Sequence, residues 1–513
     1  MRGNLVTQNS TGTAASGHAG GSPMLTARIF ERARRTPAKL AIIDGHARLS
    51  YEDFARVIEA ARRHLASLTL PVGQVAVLCM ASLLEVWIVG LALRSLGVTT
   101  LAVRAFEDIA NLDLSEPACI VTTQPEATAA VLAMAAATKW RLIVLAPGVF
   151  SLGPDALAPP QESTAPARGG HILLTSGTTG AYKKVLIDPA SELANIPRRA
   201  AMFGVSERSL VNLFDFGGWT SAGYNMAVCA WGVGGAVAMN QGPGKYRSAP
   251  WAETTHAELH TEMLRDLLDG ADAIAPNPAM ALIVISGSLS RALWEKAKAR
   301  LTPRIFTCVA ATETGPFAVT SVETADDLHW HRVHPSRRVE IVDEADQPVP
   351  PGVQGRLRVH FSDNVRGYLD DPAATAHFFR DGCFYPGDLA VFGPDGRLAL
   401  QGRVTEVINV MGAKVAAPPI EDALRDQLGA QGVCLFSLQG ADGGEELHIA
   451  IESRRPIDPQ ALSTAIRRQL HGFDGAHVHF VPTLPRSPAG KVQRLAVRAM
   501  IMGGAGAQAP VEP

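Results

Sequence analysis

The alternation of strand-like and helix-like segments through the first third of the chain constrains its fold more than any other feature. Lys39 to Ile43 reads as a strand, Asp44 and Gly45 as a turn, and Tyr51 to Leu68 as a helix whose apolar positions Phe54, Val57, Ile58, Ala61 and Leu65 recur at helical spacing. A second unit follows, with strand Gln74 to Cys79, helix Ser82 to Leu96 stopped by Gly97, and strand Val98 to Val103. Short strands joined through helices pair in parallel, because parallel neighbours need a long crossover, and the helices then cover the sheet. The pattern predicts an α/β fold with layered βαβ sheets.

At 513 residues, and roughly 150 residues per domain, the chain has room for several such units. Its 47 Lys and Arg against 49 Asp and Glu leave a net charge of -2, without the cationic excess that tracking a nucleic-acid backbone requires. Residues 1–24 are rich in Gly, Ser, Thr and Ala, lack the apolar core of a signal peptide, and read as a disordered leader. The longest uncharged apolar stretch, Met226 to Met239, is interrupted by Gly232, Gly234 and Gly235. It falls short of the ~20 residues of a spanning helix and reads as a buried helix and strand. Cys79, Cys119, Cys229, Cys308, Cys383 and Cys434 form no CxxC pair; they predict reduced thiols in a cytoplasmic protein, with no disulfide framework or cysteine zinc site.

A Pro-, Ala- and Gly-rich connector, Pro154 to Gly170, delivers the chain to a strand from His171 to Thr175. The last hundred or so residues have another pattern. After a hairpin from Ala390 to Leu400 turned by Asp395-Gly396, Pro419 can open a helix lined by Ile420, Leu424 and Leu428. Strands Val433 to Leu438 and Leu447 to Glu452, a helix with Leu462, Ile466 and Leu470, and a strand at Val478 to Val481 complete an αββαβ unit. The predicted division is a large multi-subdomain region over 25–402, a small α+β unit over 403–502, and a disordered tail over 503–513.

The segment Leu174 to Val185 carries the clearest chemistry. A strand runs into Thr175, Ser176, Gly177, Thr178, Thr179 and Gly180, followed by Lys183. Such a loop can turn backbone N–H groups, hydroxyls and an ammonium toward a polyphosphate, although it does not fit the Walker spacing. Further motifs follow in order: Ala311-Thr312-Glu313, Tyr385-Pro386-Gly387-Asp388, Gly402-Arg403, Gly412-Ala413-Lys414-Val415, and the segment Pro485 to Arg494 with Gly490-Lys491. Taken together, from about residue 25 to 500, they resemble the adenylate-forming (ANL) superfamily of acyl-CoA synthetases, amino-acid-activating domains and luciferases.

The resemblance implies a carboxylic acid:CoA ligase that uses ATP, Mg2+ and coenzyme A through an acyl-adenylate intermediate. Lys491 would neutralise charge on the α-phosphate and hold the substrate carboxylate, a preorganised electrostatic role. Thr312 would contact phosphate and Glu313 would ligate magnesium through hard oxygen. Ala310 and Ala311 would lie against the nucleotide, with Ser286 and Gly287 beside the substrate and adenine. Asp388 would accept the ribose hydroxyls with help from Arg403. The small unit would be mobile, turning about a hinge at Thr405 to present first Lys491 and then a thiol-tunnel face with Gly412 and Lys414.

Several residues depart from the family pattern: Val309 and Ala310 stand where an adenine-stacking aromatic and a glycine are usual, Pro386 precedes Gly387-Asp388, and Tyr182-Lys183-Lys184 replaces Pro-Lys-Gly. An alternative is therefore a ligase that adenylates poorly and transfers an acyl group from an adenylate made by an upstream enzyme. In the stretch Phe214 to Met226, Trp219 and Tyr224 offer walls for a medium to large hydrophobic or aromatic acid. Asp215 reads either as a loop or capping residue or as a partner for an amino-acid ammonium, the latter making an enzyme that loads a separate carrier protein. Since only a short tail follows Lys491, no fused carrier domain is expected. The expected partners are small molecules, with the protein a monomer or homodimer, and the atypical motifs suggest a specialised-metabolite pathway.

Overall fold

The computed structural model describes residues 24–45, 47–112, 114, 117–123, 132–133, 135, 140–146, 169–176, 182–214, 216–239, 249–270, 274–285, 289–361, 365–404, 407–410, 413–439, 445–453, 455–470, 476–486, 492–503 and 507–510. The helix predicted from Tyr51 runs to Ala66 and starts at a capping box, in which the Ser50 hydroxyl accepts from Asp53 N at 3.1 Å while the Asp53 carboxylate accepts from Ser50 N at 3.0 Å. The next helix, Leu83–Ser95, is buried on most of its surface and ends before Gly97, whose φ of +81° suits a residue without a Cβ.

Two largely parallel sheets carry these helices. One has eight strands in the order Gly315–Ser321, Ile305–Ala311, Ala281–Ile285, His256–His260, Leu210–Asn212, Ala236–Met239, Leu40–Asp44 and Ala47–Ser50, antiparallel only at its two edges. The other has six, in the order Arg141–Val144, Pro117–Thr122, Val75–Leu78, Thr99–Ala102, His171–Ser176 and Tyr182–Ile187. The first two sequence units thus belong to different sheets. Leu40–Asp44 doubles back at once into Ala47–Ser50, and that hairpin closes an edge, so the helix after it leads the chain into a second sheet. A single core joins Ile42, Val237 and Ile283 of one sheet, Ala76, Leu78 and Leu173 of the other, and Phe54, Trp87 and Trp231 from helices. Within this interior Arg94 Nη2 lies 2.9 Å from the Glu192 carboxylate, with side-chain exposures of 2% and 1%. The Tyr224 hydroxyl bonds to Glu192 and accepts from Arg94 Nη1 at 2.8 Å.

The stretch Met226 to Met239 divides into helix Ser221–Val233 and strand Ala236–Met239, with Gly234 at φ +85° between them. No helix among the described residues is long and apolar enough to cross a membrane. Cys79, Cys119, Cys229, Cys308 and Cys383 are thiols.

Residues 339–403 build an antiparallel sheet in the order Phe379–Arg380, Cys383–Phe384, Gly355–His360, Asp388–Phe392 and Leu398–Arg403, with Val339–Val342 also pairing Gly355–His360. Beyond it, Gly432–Gln439, Glu445–Glu452, Ala476–Val481 and Ala507–Pro510 form a four-stranded sheet. Helices Ala417–Leu428 and Pro459–Gln469 cover one face through Leu424, Leu435, Ile449, Leu462 and Ile466. Helix Arg494–Met502 covers the other through Val497 against Cys434, Phe436 and Ala450. The first of these helices begins two residues before Pro419, because prolines in a first turn forfeit no helical hydrogen bond. Ala507–Pro510 pairs antiparallel with Ala476–Val481 and covers an edge of the sheet.

Candidate active site

Three antiparallel hairpins bring the motif residues together. In the first, Thr175 stands opposite Lys183 and Ser176 opposite Tyr182. Gly177, Thr178, Thr179 and Gly180 at its tip lie outside the described residues, as does the side chain of Ser176. Successive strand residues face opposite sides, which separates the two lysines. Lys184 is buried and donates to Leu112 O at 3.1 Å. Lys183 Nζ instead sits 3.8 Å from the Phe378 ring centroid and 5.3 Å from that of Tyr368. Burial lowers the pKa of Lys183, while the Glu313 and Asp371 carboxylates oppose that shift.

The second hairpin joins Ile305–Ala311 to Gly315–Ser321 through Thr312, Glu313 and Thr314, and Gly315 closes it at φ +67°. Arg337 braces the tip, donating from Nη2 to Thr314 O at 2.5 Å and from Nε to Pro316 O at 3.0 Å. Thr312 is partly exposed, Ala311 likewise, and Ala310 is exposed, with a register irregularity between Val309 and Ala310. Glu313 is buried and its Oε1 accepts from Tyr368 Oη at 2.5 Å. Burial raises the Glu313 pKa, partly offset by that hydrogen bond and by Lys183 and Arg403. A buried carboxylate so placed gains from a cation beside it.

The third hairpin pairs Asp388 directly with Arg403, and Arg403 Nε lies 3.1 Å from Asp388 Oδ1. Gly402, at φ +102°, passes beneath Pro418, whose ring would lie 3.1 Å from an added Cβ. Lys183, Glu313 and Arg403, one from each hairpin, are near enough for their charges to act on one another.

Tyr368, Asp371 and Phe378 are the residues sequence reasoning missed. Leu369 N donates to Lys184 O at 2.8 Å, so the segment from Tyr368 docks on the first hairpin. Asp371 caps helix Pro372–Phe378 by accepting from Ala374 N at 2.8 Å. The Asp-Pro start was a legible signal for that helix, but its docking partner is a main-chain group far along the chain.

Lys491 lies outside the described residues, yet the chain on either side of residues 487–491 is held. Arg486 pairs with Val492 and contacts Glu452 at 3.0 Å. Arg494 lies 2.6 Å from Glu421 and donates from Nε to Leu435 O at 2.7 Å. Gly412, Ser286, Gly287, Asp215 and Thr405 also lie outside the described residues; Lys414 belongs to the short strand Ala413–Ala416, its side chain undescribed. Trp219 folds over Gly217, where an added Cβ would lie 2.2 Å from its ring. Tyr224 is 1% exposed and stacks on His171 at 4.2 Å, and both line a small cavity with Trp87, Gly90 and Gly218. Its hydroxyl is committed to Arg94 and Glu192, leaving only ring surface for a pocket.

Residues 29–369 match the family described as AMP-binding enzyme. A long-chain-fatty-acid–CoA ligase of Escherichia coli O6:H1 is 33% identical over 166 residues, 32% of this chain and 30% of that ligase. The chain therefore aligns with about a third of that relative's length. A 3-hydroxybenzoate–CoA ligase of an Aromatoleum species is 26% identical over 366 residues, covering 68% of this chain and 69% of the ligase. Among solved structures, ATP-bound MatB from Rhodopseudomonas palustris superposes with a TM-score of 0.79 at 22% identity, covering 93% of this chain and 98% of that one, a likeness of fold.

Proposed function

Because the chain belongs to the AMP-binding enzyme family, we propose that it is an acid–thiol ligase that activates a carboxylic acid in two steps at one site. The acid first attacks the α-phosphate of ATP, forming an acyl adenylate and releasing pyrophosphate. The thiol of CoA then attacks the acyl carbon, giving the thioester and AMP. The observation that carries the reading is that Lys183, Glu313 and Arg403, on three separate hairpins, act on one another's charges, with Arg403 paired to Asp388. Lys183 and the 175–180 loop hold the phosphates, Asp388 accepts the ribose hydroxyls, and Lys491 stabilises charge at the α-phosphate. Magnesium fits at Glu313, a hard oxygen donor whose pKa is raised by burial. When bound, it would neutralise charge on the departing pyrophosphate.

The small unit over 403–502 would turn near Thr405, exchanging the Lys491 loop for the face with Gly412 and Lys414 between the two steps. The substrate would be a hydrophobic or aromatic acid of medium to large size, a reading that rests on the stretch with Trp219 and Tyr224. The departures around the nucleotide support a place in specialised metabolism. One specific observation favours a second reading. Val309, partly exposed, stands where an adenine-stacking ring is usual; losing a stack worth ~1–3 kcal/mol weakens ATP binding about 5- to 150-fold. The protein would then chiefly transfer acyl groups from an adenylate supplied by another enzyme. Assaying a panel of acids with ATP, and separately preformed acyl adenylates, for CoA thioesters distinguishes the two. Thioester from free acid and ATP supports the complete ligase, thioester from adenylates alone supports the second reading, and neither rejects both.

Tyr368 gives a pH prediction. Its hydroxyl bonds the ionised form of Glu313 and so works against burial. Tyr368→Phe should raise the Glu313 pKa further, and because the protonated acid is a poor cation ligand, activity should fail at a higher pH. A hydrogen bond to a charged group contributes ~1.5–3 kcal/mol, so the acid limb of kcat/KM for ATP should move up by about one unit or more. A loss equal at all pH values would contradict this role.

A further inference from the structure

The four-stranded sheet collects titratable side chains that the ligase reaction does not use. Strands Glu445–Glu452 and Ala476–Val481 are parallel, with His448 opposite His477 and Ala450 opposite His479. Strand alternation therefore sets Glu446, His448, His477 and His479 on one face. Glu446 Oε2 lies 3.2 Å from His477 Nε2 and 3.8 Å from His448 Nε2. The ligand atoms of Glu446, His448 and His477 all fall within 4.8 Å of one another.

His448 makes this more than a surface cluster. Its side chain is 7% exposed, and its Nε2 is buried without a hydrogen-bond partner. A buried nitrogen in that state is costly unless something occupies it. Its other nitrogen, Nδ1, lies 2.9 Å from Nε2 of His479, itself only 2% exposed. When Nδ1–H donates to His479, Nε2 carries the bare lone pair that a metal requires. His477, by contrast, is 51% exposed and opens the cluster to solvent.

We propose that Glu446, His448 and His477 form a binding site for a late first-row divalent cation, best matched by Zn2+, with His479 as a positioning residue. Two imidazole nitrogens and one carboxylate oxygen suit zinc rather than magnesium or calcium, which prefer all-oxygen shells. Zinc bonds of ~2.0–2.2 Å put neighbouring ligand atoms little more than 3 Å apart, so the site forms by small side-chain movements. A water completes the shell on the His477 side. The ion would tie the two strands together within the unit that carries the Lys491 loop.

The test uses full-length protein stripped with EDTA and titrated with ZnCl2 and, separately, CoCl2. Wild type should show a saturable zinc site with a rise in Tm, since ligands that bind the folded state stabilise it. Bound Co2+ should give the intense visible bands of a four-coordinate site without a thiolate charge-transfer band. His477→Ala, on the exposed edge, and Glu446→Gln should each weaken zinc affinity tenfold or more with circular dichroism unchanged, and His479→Gln should weaken it less. Zinc binding that is absent, or equal in wild type and in the folded double variant His477→Ala, Glu446→Gln, overturns the proposal.

Discussion

Lys491→Ala should slow acyl-adenylate formation by about 10²- to 10³-fold, the usual cost of removing one preorganised charge-stabilising donor. The same variant should convert a supplied acyl adenylate and CoA to thioester at close to the wild-type rate, because charge on the α-phosphate builds up only in the first step. A split between half-reactions is what a structural role would not produce. The chain on either side of residues 487–491 is tied by Arg486 to Glu452 and by Arg494 to Glu421 and Leu435, so removing the lysine side chain leaves those anchors intact. Equal losses in the two half-reactions would mean that the residue supports the fold or binds both substrates alike.

The arginines at the two ends of that motif show how far sequence reading reaches. The run from Pro485 to Arg494 pointed to Lys491 as the charge-stabilising group, but the roles of Arg486 and Arg494 as clamps depend on Glu452 and Glu421, residues brought near only by the sheet. Lys183 and Lys184 make the same point. They are adjacent and chemically alike, and strand alternation alone sends one to the carboxylate site and the other to a buried carbonyl. Local signals fared well: the helix from Tyr51, the stop at Gly97 and the Asp395-Gly396 hairpin all lie where capping and turn chemistry put them. What pattern could not supply was partnership between strands. The division of the first strands between two sheets, the docking of Tyr368, and the meeting of His448 with His477 are all set by long-range register.

Arg94→Met is expected to destabilise the region around the two parallel sheets by about 3–5 kcal/mol, because it leaves Glu192 as an uncompensated buried charge. Both members of the pair are essentially inaccessible, and Tyr224 bonds to each. Glu192→Leu should cost a comparable amount for the mirror reason. Combining the two should recover part of the loss, since no buried charge is left unpaired, while the buried Tyr224 hydroxyl loses both partners. Calorimetry on the three variants measures this: additive losses would show that the pair is not coupled, and a loss below about 1 kcal/mol in the single variants would place the pair in the range of exposed ion pairs.

Acid-dependent exchange of labelled pyrophosphate into ATP tests the central claim most directly, since it reads the adenylate-forming step without involving CoA. The account predicts exchange that needs both Mg2+ and a cognate acid from a panel of hydrophobic and aromatic carboxylates, and that falls to background in Glu313→Gln. Folded wild-type protein that exchanges no pyrophosphate with any acid of the panel would contradict it.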